Sequence, residues 1–330
     1  MVRCRHAFVR EQVLAVSGVL CIGPIYVDVN CLAFPCEDGL PIEVETIGRD
    51  YEVVPGGSAV NFARFGRRLG LSTILAGKIG TDAFGDLLSG MLRDADVGLA
   101  LKVDTSAVTD VGINFVAPSG ASVMAVAGTA SDALTGAELA GIVEEHESKI
   151  SYVYLGGGFK LPGLLEDLLS VVKPLQARGV KVILDHGRVP GDVSSGSLAS
   201  MRSLARFSDI YLPSRGEFLA LWGADDVEAA VRAFQPGLMV EEQVVVVKDG
   251  SAGAFAFTPD RQVTMNAYDV RVRNTVGAGD SFNAGFVTAN TLELDLYDSV
   301  EFACAVAALT ISTDQLPDVN DVNRLRSEKP

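Results

Sequence analysis

One stretch restricts this chain more than any other, Asn274-Thr-Val-Gly-Ala-Gly-Asp-Ser-Phe-Asn-Ala-Gly-Phe286. A polar, β-branched entry (Val270, Val272, Thr275) reads as a strand running into Gly277-Ala278-Gly279. The apolar positions Phe282, Ala284, Phe286, Val287 and Ala289 predict a buried helix beyond Asp280. Two glycines at a strand-to-helix turn let the backbone approach a ligand without Cβ interference. The first helical turn then offers unpaired N–H groups and the positive end of the dipole, which together favour a phosphate. That field should keep Asp280 ionised, and a carboxylate beside a phosphate cradle can take a proton from an attacking hydroxyl. The plainer reading is that Asp280 is an N-cap and the glycines a tight turn.

The longer string resembles the C-terminal signature of the PfkB (ribokinase-like) carbohydrate kinases, D-T-x-G-A-G-D-x-F. A second stretch agrees with it in the right order. Pro55-Gly-Gly-Ser-Ala-Val-Asn61 opens a predicted helix, Phe62 to Leu69, ended by Gly70, and it resembles the family's N-terminal signature, G-G-x-x-x-N. The resemblance covers roughly residues 14–318. It implies a ribokinase-like three-layer α/β/α fold with a mainly parallel central sheet and a small β-sheet lid. It also implies transfer of the γ-phosphoryl of ATP to a hydroxyl, a primary alcohol on a sugar or sugar acid. Asp280 is then the general base, and the N–H groups of Val276 to Gly279, with Gly277, Ala278 and Gly279 at their centre, form an anion hole. Asp28, Gly56, Gly57 and Asn61 hold the acceptor. Mg²⁺ bridges the phosphates through water.

Three further landmarks follow from the same resemblance. Leu212-Pro-Ser-Arg-Gly-Glu217 resembles the family's N-x-x-E motif, with Ser214 in place of asparagine and Glu217 kept as an outer-shell metal ligand. Val247-Lys248-Asp-Gly250-Ser-Ala-Gly253 matches a strand and glycine turn near the nucleotide phosphates, which adds Lys248, Gly250, Gly253 and Thr275 to the nucleotide site. Asn274 stands where the family usually has aspartate; a neutral amide is a poorer cation ligand, which argues against dependence on a monovalent cation. Two alternatives stay open: a nucleoside kinase of the adenosine type, and a decayed kinase that binds sugar or nucleotide as a sensor. Arg64 and Arg68 lie at helical spacing from Asn61, either facing an anionic acceptor or simply solvated and paired.

Composition limits what else the chain can be. Hydrophobic residues make up 48% and charged residues 21% of 330, which describes a well-cored globular enzyme. Lys+Arg 27 against Asp+Glu 42 gives −15, a charge that repels nucleic-acid backbones and anionic lipid, so no nucleic-acid or membrane partner is expected. Cys4, Cys21, Cys31, Cys36 and Cys304 form no CxxC pair, and the expected state is reduced and cytoplasmic.

Along the chain, residues 1–12 read as an N-terminal extension and 13–330 as one kinase domain. Val13–Cys21 predicts a buried first strand. Residues 31–54 and 111–126 predict lid strands, whose two-sided sheet offers a natural homodimer contact. From residue 130, helices at 135–148, 163–178 and 225–235 alternate with strands at Tyr152–Leu155, Val180–Leu184, Asp209–Leu212 and Val244–Val247. That alternation implies a parallel sheet covered on both faces. Val300–Thr313 predicts a closing Ala-rich helix.

Overall fold

The strand Gly18–Ile22 (β1) is buried at all five positions and lies in the middle of the fold. It pairs in parallel with β4 (Ser72–Gly80) on one side and β8 (Tyr152–Gly156) on the other. A strand covered on both faces has no solvent side to make polar, which is why Val19, Leu20, Cys21 and Ile22 follow one another without alternation. The computed structural model describes residues 18–32, 34, 50–117, 122–238, 240–313 and 315–328. The predicted extension at 1–12, the start of the first strand at 13–17 and the middle of the first lid segment lie outside the described residues.

Between β1 and β4 the chain leaves the main sheet as β2 (Tyr26–Leu32) and β3 (Asp50–Gly56), then returns through helix α1 (Ser58–Arg68). After β4 come α2 (Ala83–Asp94) and β5 (Gly98–Asp104). The chain leaves again as β6 (Asp110–Val116) and β7 (Ser122–Ala127). The remainder alternates: α3 (Gly136–His146), β8, α4 (Pro162–Gln176), β9 (Lys181–Asp185), α5 (Ser195–Phe207), β10 (Ile210–Tyr211), α6 (Arg215–Trp222), α7 (Val227–Phe234), β11 (Val244–Lys248). The strands β12 (Ala254–Phe257) and β13 (Gln262–Met265) close the sheet antiparallel, and α8 (Ala278–Thr291), α9 (Leu296–Ser312) and α10 (Val319–Ser327) end the chain.

The result is a nine-stranded sheet, β13-β12-β11-β10-β9-β8-β1-β4-β5, parallel except at its β12–β13 end, beside a four-stranded sheet, β3-β2-β6-β7. Two apolar clusters line the two faces of the large sheet. One joins it to α1, α8 and α9, and the other joins it to α3 through α7. This is the three-layer arrangement with a small second sheet that the sequence leads one to expect. The chain runs outward from β1 through β4 to β5 and then resumes on the opposite side at β8. The strand order therefore reverses beside β1, and open α/β sheets bind ligands outside the carboxyl ends of the strands at such a reversal.

Two expectations need correction. The residues before Gly277 form no strand: 266–277 are irregular, and Val272 and Val276 are exposed. Their backbone bonds go elsewhere, since the amides of Arg273 and Asn274 donate to Ile311 O at the end of α9. The lid also begins earlier than residue 31. Asp28 lies within β2, opposite Val54 of β3 and Gly112 of β6.

Candidate active site

A cavity of about 940 Å³ opens at the carboxyl ends of β1 and β8, between the small sheet, the Gly250–Gly253 turn and the amino end of α8. Its centre is set by two helix starts. Gly57 caps α1 at φ +101°, and a Cβ there would overlap Pro24 O. Gly277 caps α8 at φ +77°, in the left-handed region that favours glycine. Neither cap spends a side chain on its helix, so both first turns keep their polar groups for the cavity.

Those two turns meet at Asp280. Ser58 Oγ donates to its Oδ1 at 2.6 Å and Asn61 Nδ2 to its Oδ2 at 2.9 Å. Ser58 and Asn61 are three residues apart and share one face of α1. One turn further along α8, Asn283 repeats the arrangement at a deeper level. Its amide donates to Asp185 Oδ2 at 2.5 Å and Tyr154 OH at 3.1 Å, and its Oδ1 accepts from Lys248 Nζ at 3.0 Å. Lys248 also donates to Asp185 Oδ2 at 2.7 Å, and Tyr154 OH lies 3.2 Å from Ser58 Oγ. The Phe62 ring stacks on Tyr154 at 3.9 Å and fixes it. Five elements are thus tied to one carboxylate through a continuous hydrogen-bonded chain, an arrangement that leaves little rotamer freedom at Asp280.

Burial raises Asp280 to about 6 against the ordinary carboxylate value. The Ser58 and Asn61 hydrogen bonds and the Lys248 charge pull the other way, while Asp185 adds to the rise. The expectation that the helix dipole keeps this group strongly ionised is therefore too simple: a carboxylate taken out of water loses more than one helix turn returns. For Asp185, burial is outweighed by the Lys248 ammonium, which holds it below the usual range.

The amides beside Asp280 divide into engaged and open. Val276 N–H donates to Asn274 Oδ1 at 2.9 Å and Ala278 N–H to Thr275 O at 3.3 Å. Among the described residues the amides of Gly277, Gly279 and Asp280 donate to no protein acceptor. The open donors therefore start one residue later than Val276, because Asn274 folds its side chain back onto that amide. Thr275 lines the cavity from the exposed loop. The Gly250–Ala252 turn leads to Gly253 at φ +94°, where a Cβ would overlap Met265 O. Beyond it Cys304, Ala307, Ala308 and Ile311 of α9 make an apolar wall.

Asp28 lies across the cavity. Its carboxylate fills the space a Cβ would take at Gly56 and at Gly112, so those two glycines make room for it rather than for a ligand directly. Burial raises Asp28 to about 6, with Lys160 countering, and its Oδ1 is buried without a hydrogen-bond partner. An unpaired buried acceptor of this kind calls for a donor such as a hydroxyl.

Glu217 lines the cavity, and one of its oxygens accepts from Ser214 N at 2.7 Å while Ser214 Oγ accepts from Glu217 N at 3.4 Å. The serine that replaces asparagine is thus a working N-cap in a capping box. Arg64 and Arg68 point away from the cavity; Arg64 donates to Pro55 O, and Arg68 to Leu316 O and Asp318. Tyr154, Lys160, Asp185 and Asn283 belong to the site without having been singled out from the sequence. Of these four, Asn283 carried a signal, its three-residue spacing from Asp280. Among the described residues no three His, Cys, Asp or Glu side chains converge on one point, and no helix is long and apolar enough to cross a membrane.

Comparison with known proteins bears on the fold and the family. A 5-dehydro-2-deoxygluconokinase of Shouchella clausii is 25% identical over 324 residues, 94% of this chain and 96% of the relative. The structure of ribokinase from Giardia lamblia superposes with a TM-score of 0.78 at 19% identity, over 96% of this chain and 100% of that one. A fructokinase with bound ATP from Xylella fastidiosa gives 0.78 at 20% identity, over 94% and 98%. At such identities the two structures show a shared fold. Residues 17–318 match the family described as pfkB family carbohydrate kinase, and with that span matched the chain belongs to the pfkB family of carbohydrate kinases.

Proposed function

We propose that the protein transfers the γ-phosphoryl group of ATP to a hydroxyl, a primary alcohol of a sugar or sugar acid, with Asp280 as general base. One observation carries the reading: a single carboxylate, gripped through both oxygens by Ser58 and Asn61, sits in the first turn of α8 beside three unengaged amides. The acceptor is oriented by Asp28 and by Asn61; Gly56 leaves room for the Asp28 carboxylate, and Gly57 lets α1 start close against Pro24 so that Asn61 reaches the cavity. Asp280 takes the hydroxyl proton as the new oxygen–phosphorus bond forms and the bond from phosphorus to the bridging oxygen of ADP breaks. The Gly277, Gly279 and Asp280 amides receive the charge on the transferring group. Lys248, locked by Asp185 and Asn283, adds a fixed positive charge beside them.

The nucleotide site fits this reading in its own donors. Gly250, Gly253, Thr275 and Gly277 line one side of the cavity, and the apolar α9 wall suits a flat base. Mg²⁺, bound with the triphosphate, neutralises part of its charge, and Glu217 would hold the ion's water shell through its remaining oxygen.

The test is ADP release from ATP and Mg²⁺ across sugars, sugar acids, sugar phosphates and nucleosides, beside Asp280→Asn. The expected outcome is turnover with one acceptor class and a loss of about 10²–10⁴-fold in the variant, the range for removing a general base. Equal rates in variant and wild type would remove Asp280 from the role. Nucleotide binding with no acceptor-dependent turnover would favour a sensor.

A further inference from the structure

Two cations lining the cavity make no direct ion pair with a described residue. Lys160 ends the short turn Gly158–Lys160 that follows β8, and Arg188 lies just beyond β9; both side chains line the cavity. Both residues are exposed at the mouth of the cavity, within reach of an entering ligand. Lys248, the third basic residue lining this cavity, is paired with Asp185. Neither the Lys160 ammonium nor the Arg188 guanidinium makes an ion pair or side-chain hydrogen bond with any described residue. Lys160 is nevertheless held in place, its Nζ lying 5.2 Å from the centre of the Tyr26 ring.

Their position assigns them to the acceptor. Tyr26 and Asp28 are two residues apart on β2 and present their side chains to the same face, so the ammonium stands beside the carboxylate expected to bind hydroxyls. Lys160 feels the charges of Asp28 and Asp280, which favour its protonated form, and that of Arg188, which opposes it. Like charges brought together without an intervening anion are unfavourable, and an anionic ligand group relieves them. The arginines that the sequence offered for this purpose, Arg64 and Arg68, are spent on Pro55, Leu316 and Asp318.

We infer that the acceptor carries an anionic group, a carboxylate or a phosphate, held between Lys160 and Arg188 while its hydroxyl face meets Asp28 and Asp280. This rests on the phosphotransfer reading above and narrows it, making Lys160 and Arg188 the residues that select the acceptor. Arg188 supplies a planar fork that fits carboxylate and phosphate oxygens, and Lys160 a compact charge on a fixed stem.

The experiment compares matched probes that differ only in charge: D-gluconate and its dehydro derivatives beside the parent aldoses, and sugar monophosphates beside the free sugars. Turnover and equilibrium binding by calorimetry are both measured, on wild type, Lys160→Met and Arg188→Met. The expected result is a preference of about 10- to 100-fold for one anionic arm, the worth of one or two charge-assisted hydrogen bonds. Each variant should lose that preference through the acceptor KM, with the KM for ATP unchanged. The arm that responds distinguishes carboxylate from phosphate. Neutral parents used or bound as well as their anionic partners would overturn the inference. So would variants that raise the KM for ATP instead, because the cations would then serve the nucleotide. If nothing is turned over, the phosphotransfer reading fails by itself, and calorimetry still decides whether an anion binds through these two residues.

Discussion

Asp280 and Asp28 face one another across the cavity, and burial raises each to about 6. A base must be unprotonated to accept, so kcat/KM should climb about tenfold per pH unit below 6 and level off above it. A pH–rate profile already flat at pH 5 would show that the rate does not depend on Asp280 ionising in this range. The same rise has a cost in stability. Both groups bind protons more tightly folded than unfolded, so between about pH 4 and 6 stability falls as pH rises. Asp28→Asn removes one of the two titrations and should flatten that decline, by at most about 3 kcal/mol for a shift of some two units. Denaturant melts at pH 4, 5 and 6 measure it, and parallel curves for variant and wild type would contradict it. Gly56 tests the acceptor role of Asp28 directly. A methyl group in Gly56→Ala would collide with the Asp28 carboxylate, the movable end of a side chain. The fold should survive at a cost of about 1–3 kcal/mol. The acceptor KM should rise about tenfold or more, the effect of losing a hydrogen bond to a charged group, while the KM for ATP holds. An unchanged acceptor KM would take Asp28 out of acceptor binding.

Single elements here are joined by buried charge rather than by apolar packing alone. Asp185 ends β9, Lys248 ends β11 and Asn283 lies in α8, and the three side chains meet behind the first turn of α8. Lys248→Met leaves the Asp185 carboxylate, 5% exposed, without its cation. Breaking a buried pair from one side costs about 3–5 kcal/mol. Adding Asp185→Asn should recover part of that loss, because the stranded charge is gone. Thermal melts of the single and double variants test this, and a single variant as stable as wild type would mean that water already reaches the pair. At this scale much was legible. Helices with an apolar stripe and strands with continuous β-branched runs, such as Val244–Lys248, declared themselves. The supposed strand before Gly277 did not hold, because Val270, Val272 and Thr275 have the composition of a strand but no neighbouring strand to pair with. Ile311 O at the end of α9 takes up the neighbouring amides of Arg273 and Asn274 instead. The strand that carries Asp28 is silent in the sequence for the converse reason: one edge it pairs with, at Gly112, is 84 residues further on and nothing local announces it.

Across the whole molecule, a net charge of −15 opposes the approach of a polyanionic nucleotide, while the open amides and Lys248 attract it only at short range. Raising ionic strength from about 10 to 150 mM shortens the Debye length to near 8 Å, screening the global field more than the local one. The kcat/KM for ATP should therefore rise by about threefold with salt at constant free Mg²⁺, a modest part of the range electrostatic steering spans. A steady fall would mean that the local positive field governs encounter. What the sequence determined by itself were the features that are local along the chain: two glycine-led helices, read as Phe62 to Leu69 and beyond Asp280 although they begin a few residues earlier at Ser58 and Ala278, and the alternation of strand and helix. Such features depend on backbone freedom and periodicity over a few residues, and these can be read without knowing what lies alongside. Only the tertiary structure decided which groups face Asp280. Ser58, Tyr154, Asp185, Lys248 and Asn283 come together because the strand order reverses beside β1 and brings the ends of β8, β9 and β11 to the same opening as α1 and α8. It likewise left Lys160 and Arg188 at that opening without a direct ion pair to a described residue. Contact between residues a hundred or more positions apart is set by how sheets and helices pack, and no short-range pattern records it.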